Sequence, residues 1–167
     1  MENGRAEMDR IDRILEHPLF RQNLARNREA ERDRVFCRHD MVHFLDVARI
    51  ARILNGEEQY GQPVELIYAA ALLHDLGKHV QYTDGIPHEQ AGAEIAPEIL
   101  EDCGFDEKEI DVIVKAILSH REGRIAIEKN LGGLLYRADK LSRPCYCCPA
   151  ERECNWKDGR KNLRLEF

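Results

Sequence analysis

Apolar residues recur at i, i+3, i+4 and i+7 from end to end of the chain, and no segment alternates apolar and polar residues long enough to read as a half-buried strand. The pattern predicts an all-α fold. In residues 1–34, two short stripes (Met8, Ile11, Leu15, then Leu19, Phe20, Leu24) are separated by Pro18 among many charges, which predicts two short amphipathic helices lying over a core. From Asp40 to Leu54 a firmer helix carries Val42, Leu45, Val47, Ile50, Ala51 and Leu54, with Asn55-Gly56 expected to cap its C-terminus. Pro63 opens a helix whose body, Leu66, Ile67 and Ala69 to Leu73, is apolar nearly all round, as suits a central buried helix, and Gly77 ends it. After a Thr83-Asp84-Gly85 turn, Pro87 starts a helix to about Glu101 with a kink expected at Pro97. Asp106 and Glu109 form a capping box for a helix through Ser119, and a last helix is expected from about Glu128 to Ser142. Residues 143–167 hold four Cys, two Pro and little periodicity, and read as an irregular appendage.

A chain of 167 residues supports about one domain with a real core. Lys plus Arg number 25 against 31 Asp plus Glu, and the formal charge of −6 gives no general reason to expect nucleic acid or an anionic membrane as partner. The longest apolar stretch, Leu66 to Leu73, is 8 residues, whereas a membrane span needs about 20. With no secretion signal the expected compartment is a reducing cytoplasm, where six Cys suggest metal or redox chemistry rather than a disulfide framework.

Six of the seven His lie between positions 39 and 120, mostly at the ends or on the apolar faces of predicted helices, where imidazoles need partners. In Leu72-Leu73-His74-Asp75-Leu76-Gly77-Lys78 an apolar helix terminates in adjacent nitrogen and oxygen donors that can bind one metal ion. Asp139 follows the stripe Leu131, Leu134, Leu135, Ala138 and should point into the core, where a carboxylate needs a metal or another cation.

The ordered set His43, His74-Asp75 and Asp139 resembles the HD superfamily of metal-dependent phosphohydrolases, all-helical proteins named for that doublet. The resemblance covers roughly residues 36–142, so that 1–34 would be helices packed on the core, 35–142 the HD domain and 143–167 a Cys-rich tail. It implies that His43, His74, Asp75 and Asp139 ligate a first metal ion. His88 and His120 stand where dinuclear branches of that superfamily carry further ligands, which favours two ions. Asp75 could bridge them with its two oxygens, and a bridging water would be acidified into a nucleophile. Mixed imidazole and carboxylate ligation suits iron, manganese, cobalt or zinc and not calcium. By likeness to dinuclear members iron or manganese comes first, with zinc, cobalt and nickel as further candidates.

More locally, Arg38-His39-Asp40-Met41-Val42-His43-Phe44-Leu45-Asp46-Val47 resembles the HNxxHxxDV element of cyclic-nucleotide phosphodiesterases, with Asp40 in place of the Asn. That resemblance implies a protonated His39 as general acid, with Lys78 and Arg38 holding phosphate oxygens and His79 at the edge of the substrate site. His17, before Pro18, reads as structural or solvated. Plainer roles stay open: a hydrogen-bonded helix end for His74-Asp75, capping or core positions for His88 and His120, a cap or a pairing with Asp40 for His39, and a helix-end cation for Lys78.

The expected function is hydrolysis of a nucleotide or another small phosphate ester or anhydride. His120 to Gly123 and Ala138 to Lys140 make the layout most similar to small bacterial hydrolases of symmetric dinucleoside tetraphosphates. The rivals are a regulatory module that binds metal and nucleotide without turnover, and a dinuclear-iron oxygenase. The oligomeric state stays open. In the tail, Cys145, Cys147, Cys148 and Cys154 place four thiols within ten residues. They could hold structural zinc or an iron-sulfur cluster, or three of them could do so with Cys37 or Cys103, or they could be free thiols.

Overall fold

The computed structural model describes residues 3–165, with the side chains of residues before Arg10 and of Asp158 outside the description. Met8, expected on the first apolar stripe, therefore lies outside the described side chains. Among the described residues eight α-helices run in order: α1 Asn3–Glu16, α2 Pro18–Ala30, α3 Met41–Glu57, α4 Val64–Leu73, α5 Lys78–Asp84, α6 His88–Asp102, α7 Glu107–Ser119 and α8 Leu131–Leu141. No strand occurs among the described residues, as the periodicity predicts, and no helix there is long and apolar enough to cross a membrane.

The core is built around α4, whose residues from Ala69 to Leu73 are fully buried and which packs against α1, α3, α6, α7 and α8. A ten-residue helix this apolar has no solvated face to offer, so it takes the middle. The layers around it start where side chains can satisfy the free amide groups of a first turn. Asp40 accepts from the N–H groups of Val42 (3.0 Å) and His43 (3.2 Å) and so fixes the start of α3. Asp106 and Glu109 form the expected capping box at α7, and Asn130 caps α8 through the Gly133 N–H (2.9 Å).

Four sequence expectations shift. Helix α3 does not stop at Asn55-Gly56 but runs to Glu57, and the turn falls on Gln59 at φ +55°. Asn55 spends its side chain on the following loop, accepting from Gln62 N–H (2.8 Å) and donating to Gln62 O (3.1 Å). The buried face of α3 is Phe44, Val47, Ala48, Ala51 and Leu54, whereas Val42 is exposed and Leu45 half-buried. The segment after Gly77, where only a turn at Thr83-Asp84-Gly85 was expected, coils into α5, closed by Gly85 at φ +73°. Helix α8 begins three residues late because Gly123–Ile127 forms a 3-10 turn packed under Gly133, whose added Cβ would meet Glu128 O at 2.1 Å.

The residues after α8 form 3-10 turns at Cys145–Cys147, Glu151–Glu153 and Asp158–Arg160. Ala150 is the one buried residue among the described residues from Arg143 onward. Asn162 fastens this tail by donating to the carbonyls of Lys140 (2.8 Å) and Arg143 (2.9 Å) at the open end of α8.

Candidate metal centre

His74 and Asp75 follow immediately on α4, so that the central helix delivers both side chains, nearly fully buried, to the middle of the molecule. His43 comes from the first turn of α3, His88 from the start of α6, His120 from the residue that ends α7, and Asp139 from the last turn of α8. Four outer helices thus each bring one donor to the doublet. Two sets result: His43, His74, Asp75 and Asp139, and Asp75, His88 and His120, the donor atoms of each set lying within 4.8 Å of one another.

The ring nitrogens show what these sets are built for. His74 Nδ1 donates to Ala71 O (2.8 Å), and His120 Nδ1 donates to Ile117 O (2.6 Å), each a carbonyl one turn back on its own helix. His88 Nδ1 lies 2.6 Å from Gln81 Oε1, and His43 Nδ1 lies 3.3 Å from Ser142 Oγ, whose proton goes to Asp139 O. A proton fixed on Nδ1 leaves Nε2 as a bare lone pair. All four Nε2 atoms face Asp75: His43 at 3.3 Å and His74 at 3.1 Å from Oδ2, His88 at 2.9 Å and His120 at 3.5 Å from Oδ1. His88 Nε2 and His120 Nε2 are also only 3.2 Å apart. His74 Nε2 and Asp75 Oδ1 are buried without a hydrogen-bond partner. Converging lone pairs with no proton between them repel, and a cation removes that repulsion. The donors present therefore fit one or two divalent transition ions.

Burial opposes ionisation of Asp75, but when protons rather than a cation occupy the Nε2 positions, the charges of His74 and His39 and the hydrogen bonds of the neighbouring imidazoles outweigh it and hold the carboxyl well below its usual range. Asp139 is likewise lowered to about 2, against its burial, by Lys140, His74 and His43. Both carboxylates are ready-made anionic ligands.

His39 lies beside the cluster, its Nε2 3.8 Å from Asp75 Oδ2. Its other edge is held by Glu31, which accepts from the His39 main-chain N–H (2.7 Å), from ring Nδ1 and from the Tyr82 hydroxyl (2.7 Å). Asp40 pairs with neither imidazole nor metal set, being committed to capping α3. A cavity of about 170 Å³ opens over the cluster, and its wall includes Arg34, Arg38, Lys78, Arg121, Lys140 and Arg143. Six cations at one opening form a local basic rim on a chain of net charge −6. Burial lowers the pKa of Lys78, with the Asp75 charge opposing it.

His79 does not reach this cavity. It is buried against α2, with Nε2 2.7 Å from Asn23 Oδ1 and its N–H on Asn27 Oδ1 (2.8 Å), so it ties α5 to α2 and the sequence expectation of a substrate contact is corrected. His17 caps α2 through the Leu19 N–H. Cys103 is buried in the hydrophobic core at the end of α6. The tail thiols and Cys37 line a neighbouring cavity of about 400 Å³, but among the described residues no three sulfurs come within 4.8 Å of one another. Glu31, Gln81, Ser142 and the rim residues Arg34, Arg121, Lys140 and Arg143 were not visible as site residues in the sequence. Each is a common polar side chain in a charged segment, with no local pattern to distinguish it.

The HD domain family matches residues 41–143. The chain is 46% identical over 160 residues to an uncharacterised protein of Clostridium beijerinckii, a match that covers 96% of this chain and 100% of that one. It is 34% identical over 100 residues to ribonuclease Y of Enterococcus faecalis and 35% identical over 100 residues to ribonuclease Y of Listeria monocytogenes. Those matches take in 60% of this chain but only 17% of each ribonuclease. A crystal structure of a predicted HD superfamily hydrolase from an uncultured Thermotogales bacterium superposes with a TM-score of 0.61 at 27% identity, over 86% of this chain and 81% of that one.

Proposed function

The chain belongs to the HD-domain family, and from that premise we propose that it is a metal-dependent phosphohydrolase acting on a nucleotide or another small phosphate ester or anhydride. The observation that carries this reading is the sharing of Asp75 by two ligand sets whose Nε2 lone pairs converge on it. In this reading His43, His74, Asp75 and Asp139 hold one ion and Asp75, His88 and His120 a second, with iron or manganese as the expected metal. When bound, such ions supply Lewis acidity, drawing in phosphoryl oxygens and making a water acidic enough to attack at neutral pH.

The chain's own residues supply the remaining chemistry. Lys78 and Arg38, with the other cations of the rim, attract and orient the phosphate, a charged ligand that the overall negative charge would otherwise repel. Glu31 holds His39 by Nδ1 and leaves Nε2 directed at the cluster, the position from which a protonated ring donates to the leaving oxygen. Ser142 and the carbonyls of Ala71 and Ile117 keep the ligand imidazoles in the tautomer that offers Nε2.

The test is metal analysis of protein purified without chelator, followed by phosphate release across a panel of nucleotides, dinucleoside tetraphosphates, phosphomonoesters and a short oligoribonucleotide. The last is included because the ribonuclease Y relatives share this segment. One to two transition ions per chain and phosphate release are expected, with Asp75→Asn losing most of both. Undiminished metal in that variant would sink the site assignment. Metal and nucleotide bound without turnover would support a regulatory module instead, and oxygen consumption in place of hydrolysis an oxygenase.

A further inference from the structure

The tail thiols have no part in hydrolysis, and the structure sorts them differently from their order in the sequence. Cys145 and Cys148 bracket a 3-10 turn in which the Cys148 N–H returns to Cys145 O (3.3 Å), a C-x-x-C bend of the kind that presents two sulfurs to one side. Cys154 ends the next 3-10 turn in the same way, its N–H on Glu151 O (3.3 Å), and the two turns pack together. The fourth half-buried thiol of this region is Cys37, on the loop between α2 and α3, whose carbonyl Arg34 Nε fixes at 2.7 Å. All four line the cavity between that loop and the tail. Cys147, between the bracketing pair, is exposed, and Cys103 is remote in the hydrophobic core.

We propose that Cys37, Cys145, Cys148 and Cys154 form a structural zinc site that fastens the tail to the loop carrying Arg34, Arg38 and His39. The C-x-x-C bend supplies two ligands without steric conflict, which the adjacent pair Cys147 and Cys148 could not do on one ion. Four thiolates around zinc carry a net charge of −2, and Arg143 on the cavity wall offsets part of it. Beyond the Asn162 hydrogen bonds to the end of α8 and the Lys161–Glu151 ion pair, the tail has little packing to order it. Among its described residues no helix is longer than three residues and one residue is buried, while Tyr146, Trp156, Leu163 and Leu165 are exposed. A segment that buries so little apolar surface gains its ordering energy from ligation. No three of the sulfurs lie within 4.8 Å, so closing the site draws the two turns toward Cys37, a movement no packed tail core resists.

The test uses the full chain loaded with zinc, alkylated under native conditions and mapped by mass spectrometry before and after chelation. Cys37, Cys145, Cys148 and Cys154 should be protected with zinc and modified without it, with Cys147 modified in both states. Cobalt loading should give a sulfur-to-metal charge-transfer band that is lost in Cys37→Ser and Cys148→Ser. The band should persist in Cys147→Ser and also in Asp75→Asn, which separates it from the histidine and carboxylate centre. The proposal is overturned if Cys37 is alkylated equally with and without zinc, if the band depends on Cys147 and not on Cys37, or if the purified protein carries iron with cluster absorbance at these thiols.

Discussion

Glu31 and His39 are eight positions apart, on a turn and a loop without regular structure, yet they form the most heavily bonded polar contact beside the metal centre. Glu31 is almost fully buried and accepts three hydrogen bonds, two of them from His39. Burial alone would raise its pKa, but the hydrogen bond and charge of His39 win and hold it at about 2, so the carboxylate stays ionised throughout the working range. A carboxylate fixed on Nδ1 orients the imidazole and leaves Nε2 toward the cluster, the placement an acid catalyst needs. His39→Ala should therefore lower kcat by about 10² to 10⁴ with metal content unchanged, the loss shrinking for substrates with good leaving groups. Glu31→Gln should give a smaller fall in the same parameter, because the amide oxygen still accepts a hydrogen bond but carries no charge. Steady-state kinetics on two leaving groups, alongside metal analysis, checks both. An equal loss for good and poor leaving groups would indicate a positioning role for His39.

At the scale of elements, the second ligand set depends on how closely α6 crosses the end of α4. Gly77 has an ordinary φ of −82°, so its conformation does not demand glycine; its surroundings do. A Cβ at Gly77 would meet Gly92 N at 2.6 Å and Ala91 Cβ at 2.7 Å, and a Cβ at Gly92 would lie 3.4 Å from His74 O. This backbone-to-backbone approach carries His88, at the head of α6, to within 2.9 Å of Asp75. Gly77→Ala should destabilise the fold by about 1–3 kcal/mol, the usual cost of overpacking, and should reduce the metal count toward one by displacing His88. Gly56→Ala is the control. Gly56 lies within α3 with nothing within 4 Å of its Cβ position, so that substitution should stabilise by about 0.5–1 kcal/mol. Denaturant melts and metal counts distinguish the two.

Across the whole molecule, Arg10 ties the N-terminal helices to the body. From α1 it bonds Glu65 of α4 (3.1 Å) and Glu109 of α7 (2.8 Å), while its guanidinium stacks 4.1 Å above the Phe105 ring. Glu65 is largely buried and its second oxygen already lacks a partner, so loss of Arg10 leaves a poorly solvated charge. Arg10→Met keeps the apolar stem but should cost about 1.5–3 kcal/mol, visible as a lower Tm by calorimetry. Metal content should hold, because Glu65 starts α4 and His74 follows its far end.

Near neighbours along the chain suffice to give the helical period, the capping box at Asp106, the break at Pro18, the apolar α4, and the order of His43, His74, Asp75, His88, His120 and Asp139, the six side chains that the fold brings together. These follow from backbone groups satisfied within a turn and from side chains spaced by a fixed rise. Which distant residues meet is settled by packing. It placed Glu31 behind His39, turned His79 away to Asn23, exposed Val42, gathered six cations at one opening, and brought Cys37 into the tail's cavity while leaving Cys147 in solvent. None of these is encoded by spacing, because each depends on how tightly whole helices approach. That distance is set by volumes such as the missing Cβ of Gly77 and Gly92, which matter only once the opposing surface is in place.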